Sequence, residues 1–310
     1  MQMNKKASFF IDDVLWVFRD LTREKPASLF DNSYMKALKD AHDMYGVKTQ
    51  LNVFYKTSFW YGADEFCLAD MTDRYKREFE EASDWLKFGF HSMEEWPDYP
   101  FINADYELVD KVFKKTYSEV CRFAGEKSFA KSVVPHWIPM SEEGVRALYD
   151  NGIRVTYASY GEKCEWNGDA SALPYGHSFR LLHNKKPESG VYKKVTRDLA
   201  IANALCSYNH VPEEEYMNIL GKFATIKDEN IGVSFMTASQ AVLNLIPGEL
   251  VEEELNKFID QEYISVGNHE QYYYPDYYAY QPDYVEKILT MGRVLKDAGF
   301  EFIFMEELPH

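Results

Sequence analysis

The first strong pattern along the chain is Ser8-Phe9-Phe10-Ile11, an apolar run that stops at two adjacent carboxylates, Asp12 and Asp13. Apolar positions bounded by charge predict a buried strand. Beyond it the spacing alternates between two periods. Asp31 to Tyr45 places Met35, Leu38 and Ala41 on one helical stripe, with Asp31 as cap and Gly46 as stop. Val47 to Tyr55 alternates Leu51, Val53 and Tyr55 with polar residues and predicts a strand. Thr72 to Lys87 predicts a helix, and Phe88-Gly89-Phe90-His91 a short strand after it. Asn103 predicts the cap of an amphipathic helix that runs through Ala124 and closes at Gly125. Ser132 to Trp137 is strand-like. Ser141 caps a helix with Val145 and Leu148 facing inward, and Ile153 to Ala158 is a further strand.

Five strand-then-helix units in half the chain predict a parallel sheet with helical crossovers. Periodicity fades over 160–190, where Gly, Pro, Asn and Lys accumulate, which predicts a long loop or small β excursion. Helical patterns resume at Val191 to Ser207 and Glu213 to Thr225, followed by a strand at Ile231 to Met236 and a helix at Leu250 to Asp260. Ile264-Ser265-Val266 is a strand running into Gly267-Asn268-His269. A helix from Pro282 to Ala298 and a strand from Phe300 to Met305 close the chain. No repeat or linker forces a boundary. The expectation is one α/β domain over 1–310: a distorted (β/α)-barrel of six to eight parallel strands, with an elaboration at about 160–260.

Composition narrows the function classes. At 310 residues the chain can bury a large core, and its formal charge of −16 disfavours nucleic acid and anionic membranes as partners. No apolar stretch is long enough to span a bilayer, and Met1 to Lys6 is too short and polar for a signal peptide, so a cytoplasmic protein is expected. Cys67, Cys121, Cys164 and Cys206 lie far apart without a C-x-x-C pair, which gives neither a zinc knuckle nor a disulfide framework. Tyrosine is abundant, which suits sugar-like ligands and leaves room for a homodimer.

Candidate chemistry sits at strand ends. Adjacent residues of a regular strand point to opposite faces, so Asp12 and Asp13 can share a site only if the backbone turns there. His91, in Phe90-His91-Ser92-Met93-Glu94-Glu95, also follows a strand and stands four residues before Glu95. If that segment turns helically, His91 and Glu95 share a face. An imidazole, a carboxylate and one aspartate from another strand suit Zn²⁺, Fe²⁺, Mn²⁺ or Co²⁺. His269 follows a third strand and adjoins Gln271-Tyr272-Tyr273-Tyr274-Pro275-Asp276-Tyr277-Tyr278, which reads as the wall of a binding cleft.

In order and spacing these segments resemble the polysaccharide deacetylase family, carbohydrate esterase family 4. Asp12-Asp13 matches its opening motif, His91-Ser92-Met93-Glu94-Glu95 its His-Ser/Thr-x-x-His motif with the second histidine replaced by Glu95, and Val134-Pro135-His136-Trp137 its third motif without the arginine. Ser141 to Leu148 and then Gly152-Ile153 match the helix and strand that follow. No segment matches the fourth, Asp-x-x-Asp-Trp motif. The likeness covers residues 7–158 and 262–308. It implies a metal-dependent hydrolase removing an acyl group from an amide or ester of a sugar-like small molecule or oligosaccharide. Asp12 would be the base, His269 the acid, and Asp13, His91 and Glu95 the ligands of a divalent metal, zinc before iron, manganese, cobalt or nickel. His136 is an additional ligand or pocket residue, and Trp137, Tyr272 and Tyr273 are substrate contacts. Two other readings stay open: a metal-independent glycoside hydrolase using Asp12, Asp13, Glu94, Glu95 or Glu270, and a catalytically silent carbohydrate-binding homologue.

Overall fold

Strand β1 (Lys5–Val14) runs through the centre of the molecule because its residues are apolar or bonded on both faces, and it is buried from Ala7 onward. The computed structural model describes residues 5–57, 65–95, 99–102, 104–160 and 207–310. Parallel β2 (Thr49–Phe54) and β3 (Leu86–Ser92) lie on one side of β1. The short strands β4 (Ser132–Val133), β5 (Val155–Tyr157), β6 (Ser159–Tyr160), β7 (His210–Val211), β8 (Ile226–Lys227), β9 (Ser234–Met236) and β10 (Ala241–Val242) follow. β11 (Tyr263–His269) and β12 (Phe300–Ile303) complete the set.

The main sheet orders β10-β11-β1-β2-β3. β12 pairs with the first residues of β1 and β2 with the last, so the two share one edge of the central strand. A second sheet orders β4-β5-β9-β8, with only β8 antiparallel, and the isolated bridge Phe88–Phe129 joins it to β3. β6 and β7 form a separate parallel pair. The fold is therefore α/β with a mostly parallel curved sheet, as the sequence predicts. Among the described residues the pairing does not close into a continuous ring.

Helices cover the outer face: α1 (Trp16–Glu24), α2 (Ser33–Tyr45), α3 (Lys76–Glu81), α4 (Tyr106–Ala124), α5 (Glu142–Asp150), α6 (Glu213–Ile219), α7 (Val251–Asn256) and α8 (Tyr284–Asp297). None of the described helices is long and apolar enough to cross a membrane. Alternation along the strands divides the core. Phe9, Ile11, Leu51, Val53, Phe88 and Phe90 belong to the large cluster under the helices, whereas Phe10, Val155, Tyr157, Met236, Tyr263 and Ile303 form a smaller one inside the curved sheet.

Several boundaries move for local reasons. Asn32, not Asp31, caps α2, because its side chain accepts from the Met35 N–H. The helix expected at Thr72 to Lys87 contracts to α3, since Leu86 already pairs with Thr49 in the sheet. Asp105 caps α4 by accepting from the Leu108 N–H; the expected cap Asn103 lies outside the described residues. So do the loop at 161–190 and the helical pattern from Val191 to 206.

Candidate active site

The chemistry-bearing residues gather where the parallel strands end, the rim on which barrel-like α/β folds place their sites. Asp12 and Asp13 lie near the end of β1, His91 near the end of β3, His136 three residues past β4, and His269 is the last residue of β11, paired with Asp12. The adjacent acids converge through a distortion. The β1–β2 register shifts between Ile11 and Val14, and Asp13 adopts φ 60°, a left-handed conformation that few non-glycine residues take. The backbone turn that the sequence argument requires is thus this bulge.

Three atoms meet at its centre. His91 Nε2 is 3.1 Å from Asp13 Oδ1 and 3.0 Å from His136 Nδ1, and the latter is 3.6 Å from Asp13 Oδ1. Each side chain is held from behind. His91 Nδ1–H donates to the Val134 carbonyl at 2.6 Å, and His136 Nε2–H donates to the Glu95 carbonyl at 2.9 Å. Gln271 Nε2 donates to Asp13 Oδ2 at 2.7 Å. Because each imidazole places its proton on the outward nitrogen, the inward nitrogens present lone pairs to one another and to a buried carboxylate oxygen that has no hydrogen-bond partner. Electron pairs this close repel unless a cation sits among them. Ligands about 2.1 Å from a divalent metal stand about 3.0 Å apart at octahedral and about 3.4 Å at tetrahedral angles. The observed spacings of 3.0, 3.1 and 3.6 Å lie close to that range, so Asp13, His91 and His136 are placed as a group that could hold a metal ion.

This set replaces the expected one. Glu95 is buried but does not belong to the converging group. The segment 93–95 bends rather than turning into a helix, so the spacing to His91 does not put both side chains on one face. What Glu95 contributes to the group is its backbone carbonyl, on the outer nitrogen of His136. His136, the sequence's alternative candidate, stands in the third place of this group. It is followed by Trp137 and Ile138, both with left-handed φ (64° and 71°), a strained turn in which the buried Asn209 donates to the Ile138 and Tyr157 carbonyls and accepts from the Met140 N–H.

Asp12 lies beside the group, its Oδ1 3.7 Å from His91 Nδ1 and accepting from Asn52 Nδ2 at 2.7 Å. The amide behind it cannot flip without loss: Gln50 Nε2 donates to Asn52 Oδ1 at 2.8 Å, and Ser132 Oγ–H donates to Gln50 Oε1 at 2.8 Å. Gly89 on β3 makes room for this chain, since a Cβ there would collide with Asn52 and Gln50. Burial pushes the Asp12 carboxyl up to about 7, with His91 and Asn52 pulling the other way and Asp13 adding to the rise. Burial also opposes the Asp13 charge, yet the facing His91 and the nearby His269 and His136 hold it well below the usual carboxylate range. For His91, burial is outweighed by the two aspartates and its affinity for a proton rises. Burial favours the neutral form of His269, whose Nδ1–H donates to Asn244 Oδ1 at 3.0 Å.

Asp12, His91, His136, Trp137 and His269 line a cavity of about 380 Å³. Tyr272 and Tyr273, expected as substrate contacts, do not line it. Tyr272 is fully buried beneath His269 and against Tyr277, and the Tyr273 hydroxyl bonds Ser33 Oγ at 2.7 Å on α2. Packing the run's rings against Trp16, Tyr34 and Tyr284 buries more apolar area than a cleft wall could. Glu270 is structural as well: its carboxylate accepts from the Leu15, Trp16 and Val17 N–H groups at the start of α1. The sequence reading passed over Asn52, Gln50, Gln271, Asn209 and Asn244. A signal existed for the first two, a pair of amides two residues apart in an apolar strand.

No protein-family model matches the chain, and no curated protein does. Solved structures do. A 4-alpha-glucanotransferase from Thermococcus litoralis aligns over 99% of this chain and 40% of its own length, at 10% identity and a TM-score of 0.52. The likeness is one of fold, and the chain spans about two-fifths of that protein. Several others are described as polysaccharide deacetylases or CE4 family proteins. The Bc1960 peptidoglycan N-acetylglucosamine deacetylase matches at 9% identity and TM-score 0.44, over 99% of this chain and 89% of its own. BA3943 from Bacillus anthracis, a CE4 family pseudoenzyme, matches at 9% and 0.42, over 98% and 65%.

Proposed function

We propose that this protein is a metal-dependent hydrolase that cleaves an acyl amide or ester, with a divalent cation held by Asp13, His91 and His136. One observation carries the reading: two imidazoles, each fixed by a backbone carbonyl, aim lone pairs at an unpartnered buried carboxylate oxygen within 3.0–3.6 Å. When bound, such a cation polarises the substrate carbonyl and lowers the pKa of water towards ~7. The residues present favour zinc, with iron, manganese, cobalt and nickel as alternatives.

The remaining chemistry belongs to the chain's own groups. Asp12 lies next to the ligands, is held by Asn52, and has a proton affinity raised to about 7, so it can take a proton from the attacking water near neutral pH. Lining the same cavity, His269 keeps its Nδ1 proton on Asn244, which leaves Nε2 to carry a proton to the leaving group. Burial supplies the low-dielectric setting in which these charges act strongly. A metal-free pair of carboxylates fits less well, since Glu270 holds α1 and Glu94 pairs with Lys56.

Elemental analysis of the purified protein tests the reading first. About one transition metal per chain is expected, with hydrolysis of simple acyl amides or esters that Asp12→Asn lowers by ~10²–10⁴-fold. Protein that takes up no metal when offered zinc, iron, manganese, cobalt or nickel would sink it. Metal without hydrolysis would instead favour the silent homologue.

A further inference from the structure

The cavity joins the metal-ligand group to a wall of a different kind. Beyond Asp12, His91, His136 and His269, its lining is mostly apolar, Phe10, Trp137, Ile138, Tyr157, Val242 and Leu245 being the large residues, with Val134, Pro135, Tyr216, Ala238, Ser239 and Gly267 between them. This wall is built into the strands. Phe10 crosses the barrel interior to meet Tyr157 edge-on at 5.5 Å, and Gly267 on β11 is bare where it faces that ring: a Cβ there would lie 2.9 Å from Phe10 Cζ. The hydroxyls in the lining already have protein partners. Tyr157 Oη bonds Ser265 Oγ at 2.9 Å and Ser239 Oγ at 3.4 Å, and Tyr216 Oη accepts from the Ala238 N–H at 2.7 Å. Among the described residues no lysine or arginine lines the cavity, and the chain as a whole carries −16.

We infer that the substrate is a small, uncharged amide or ester whose body is apolar, of the size of a single ring or a short branched chain, rather than a sugar. This rests on reading Asp13, His91 and His136 as a metal site. Most sugar hydroxyls brought against this wall would lose water without gaining a partner among the described lining residues. An apolar body there gains in proportion to the surface it withdraws from water. A volume of about 380 Å³ is at the small end of ligand cavities, room for one compact molecule taken whole. An anion would meet neither a lysine nor an arginine in the described lining.

Zinc-loaded protein, calorimetry and two hydroxamates separate the possibilities. Acetohydroxamic and benzohydroxamic acid share a metal-chelating head and differ only in apolar body. Benzohydroxamic acid is expected to bind ~10–100-fold more tightly. Leu245→Asn, with zinc content still stoichiometric, is expected to cut that advantage to under ~3-fold. Equal affinity of the two probes in the wild type, or tighter binding of a hydroxamate borne on glucosamine, overturns the inference while leaving the metal reading intact. Failure of both hydroxamates to bind, or failure to load zinc, overturns the metal reading and this inference with it.

Discussion

Two regions at the strand-end rim look equally suited to binding in the sequence and have opposite uses. On one flank, β1, β3 and the turn after β4 bring Asp13, His91 and His136 together, each held by one bond from behind and each presenting a lone pair inward. On the other, β11 leads into a run of tyrosines that looks richer in binding chemistry and is mostly core: Tyr272, Tyr274 and Tyr277 are buried and packed on one another or on Trp16. The difference lies in where the polar atoms are aimed. A histidine whose outer nitrogen is tied to a carbonyl has its reactive atom directed. A buried tyrosine whose ring supplies the packing has only its area to offer.

Removing a ligand should produce the largest effect. His136→Ala is expected to weaken zinc binding by well over ~100-fold, more than loss of any supporting residue, while far-UV circular dichroism stays native. Full retention of zinc would break the contrast, because it would return His136 to the pocket wall. Gln271→Leu comes next. It frees Asp13 Oδ2 without touching the ligand oxygen, and an outer partner of this kind is worth ~10–100-fold in affinity. A change under ~3-fold would show that the bulge alone orients Asp13. Glu95→Gln should do less still, within ~3-fold, because it keeps the backbone carbonyl that His136 donates to. A large loss there would reinstate the ligand set that the sequence motif implies.

These comparisons also show what could be read from the chain. The parallel α/β architecture was legible, because strand and helix periods alternate cleanly and Gly46 and Gly125 mark real helix ends. So were Asp12, Asp13, His91 and His269, which all end strands and so share a rim. The third member of the converging group was only half legible. His136 and Glu95 are both near the right strand ends, and which one turns inward depends on the left-handed Trp137–Ile138 turn and on the bends at 93–95. Neither conformation has a sequence signature in a residue other than glycine. The amide chain Ser132–Gln50–Asn52 was hidden for another reason. Alternation marks which residues share a face of β2, but not that Gln50 and Asn52 on its inner face bond to each other and to Ser132.

The smallest effect expected is at Tyr273, and it bears on the tyrosine flank directly. Its hydroxyl bonds Ser33 Oγ at 2.7 Å on the partly exposed outer side of the molecule, and its ring packs edge-on against Tyr34 and Tyr284. Tyr273→Phe keeps the ring and deletes one hydrogen bond, whose net worth is about 0.5–1.5 kcal/mol and falls at the low end where water can replace the partner. Thermal denaturation should therefore shift by only a few degrees at most. Zinc affinity and the preference for benzohydroxamic over acetohydroxamic acid should not move, because this side chain faces α2 and not the cavity. A change in ligand preference without a change in stability would mean that the aromatic run does reach the substrate. The same variant would then transfer Tyr273 from core to cleft.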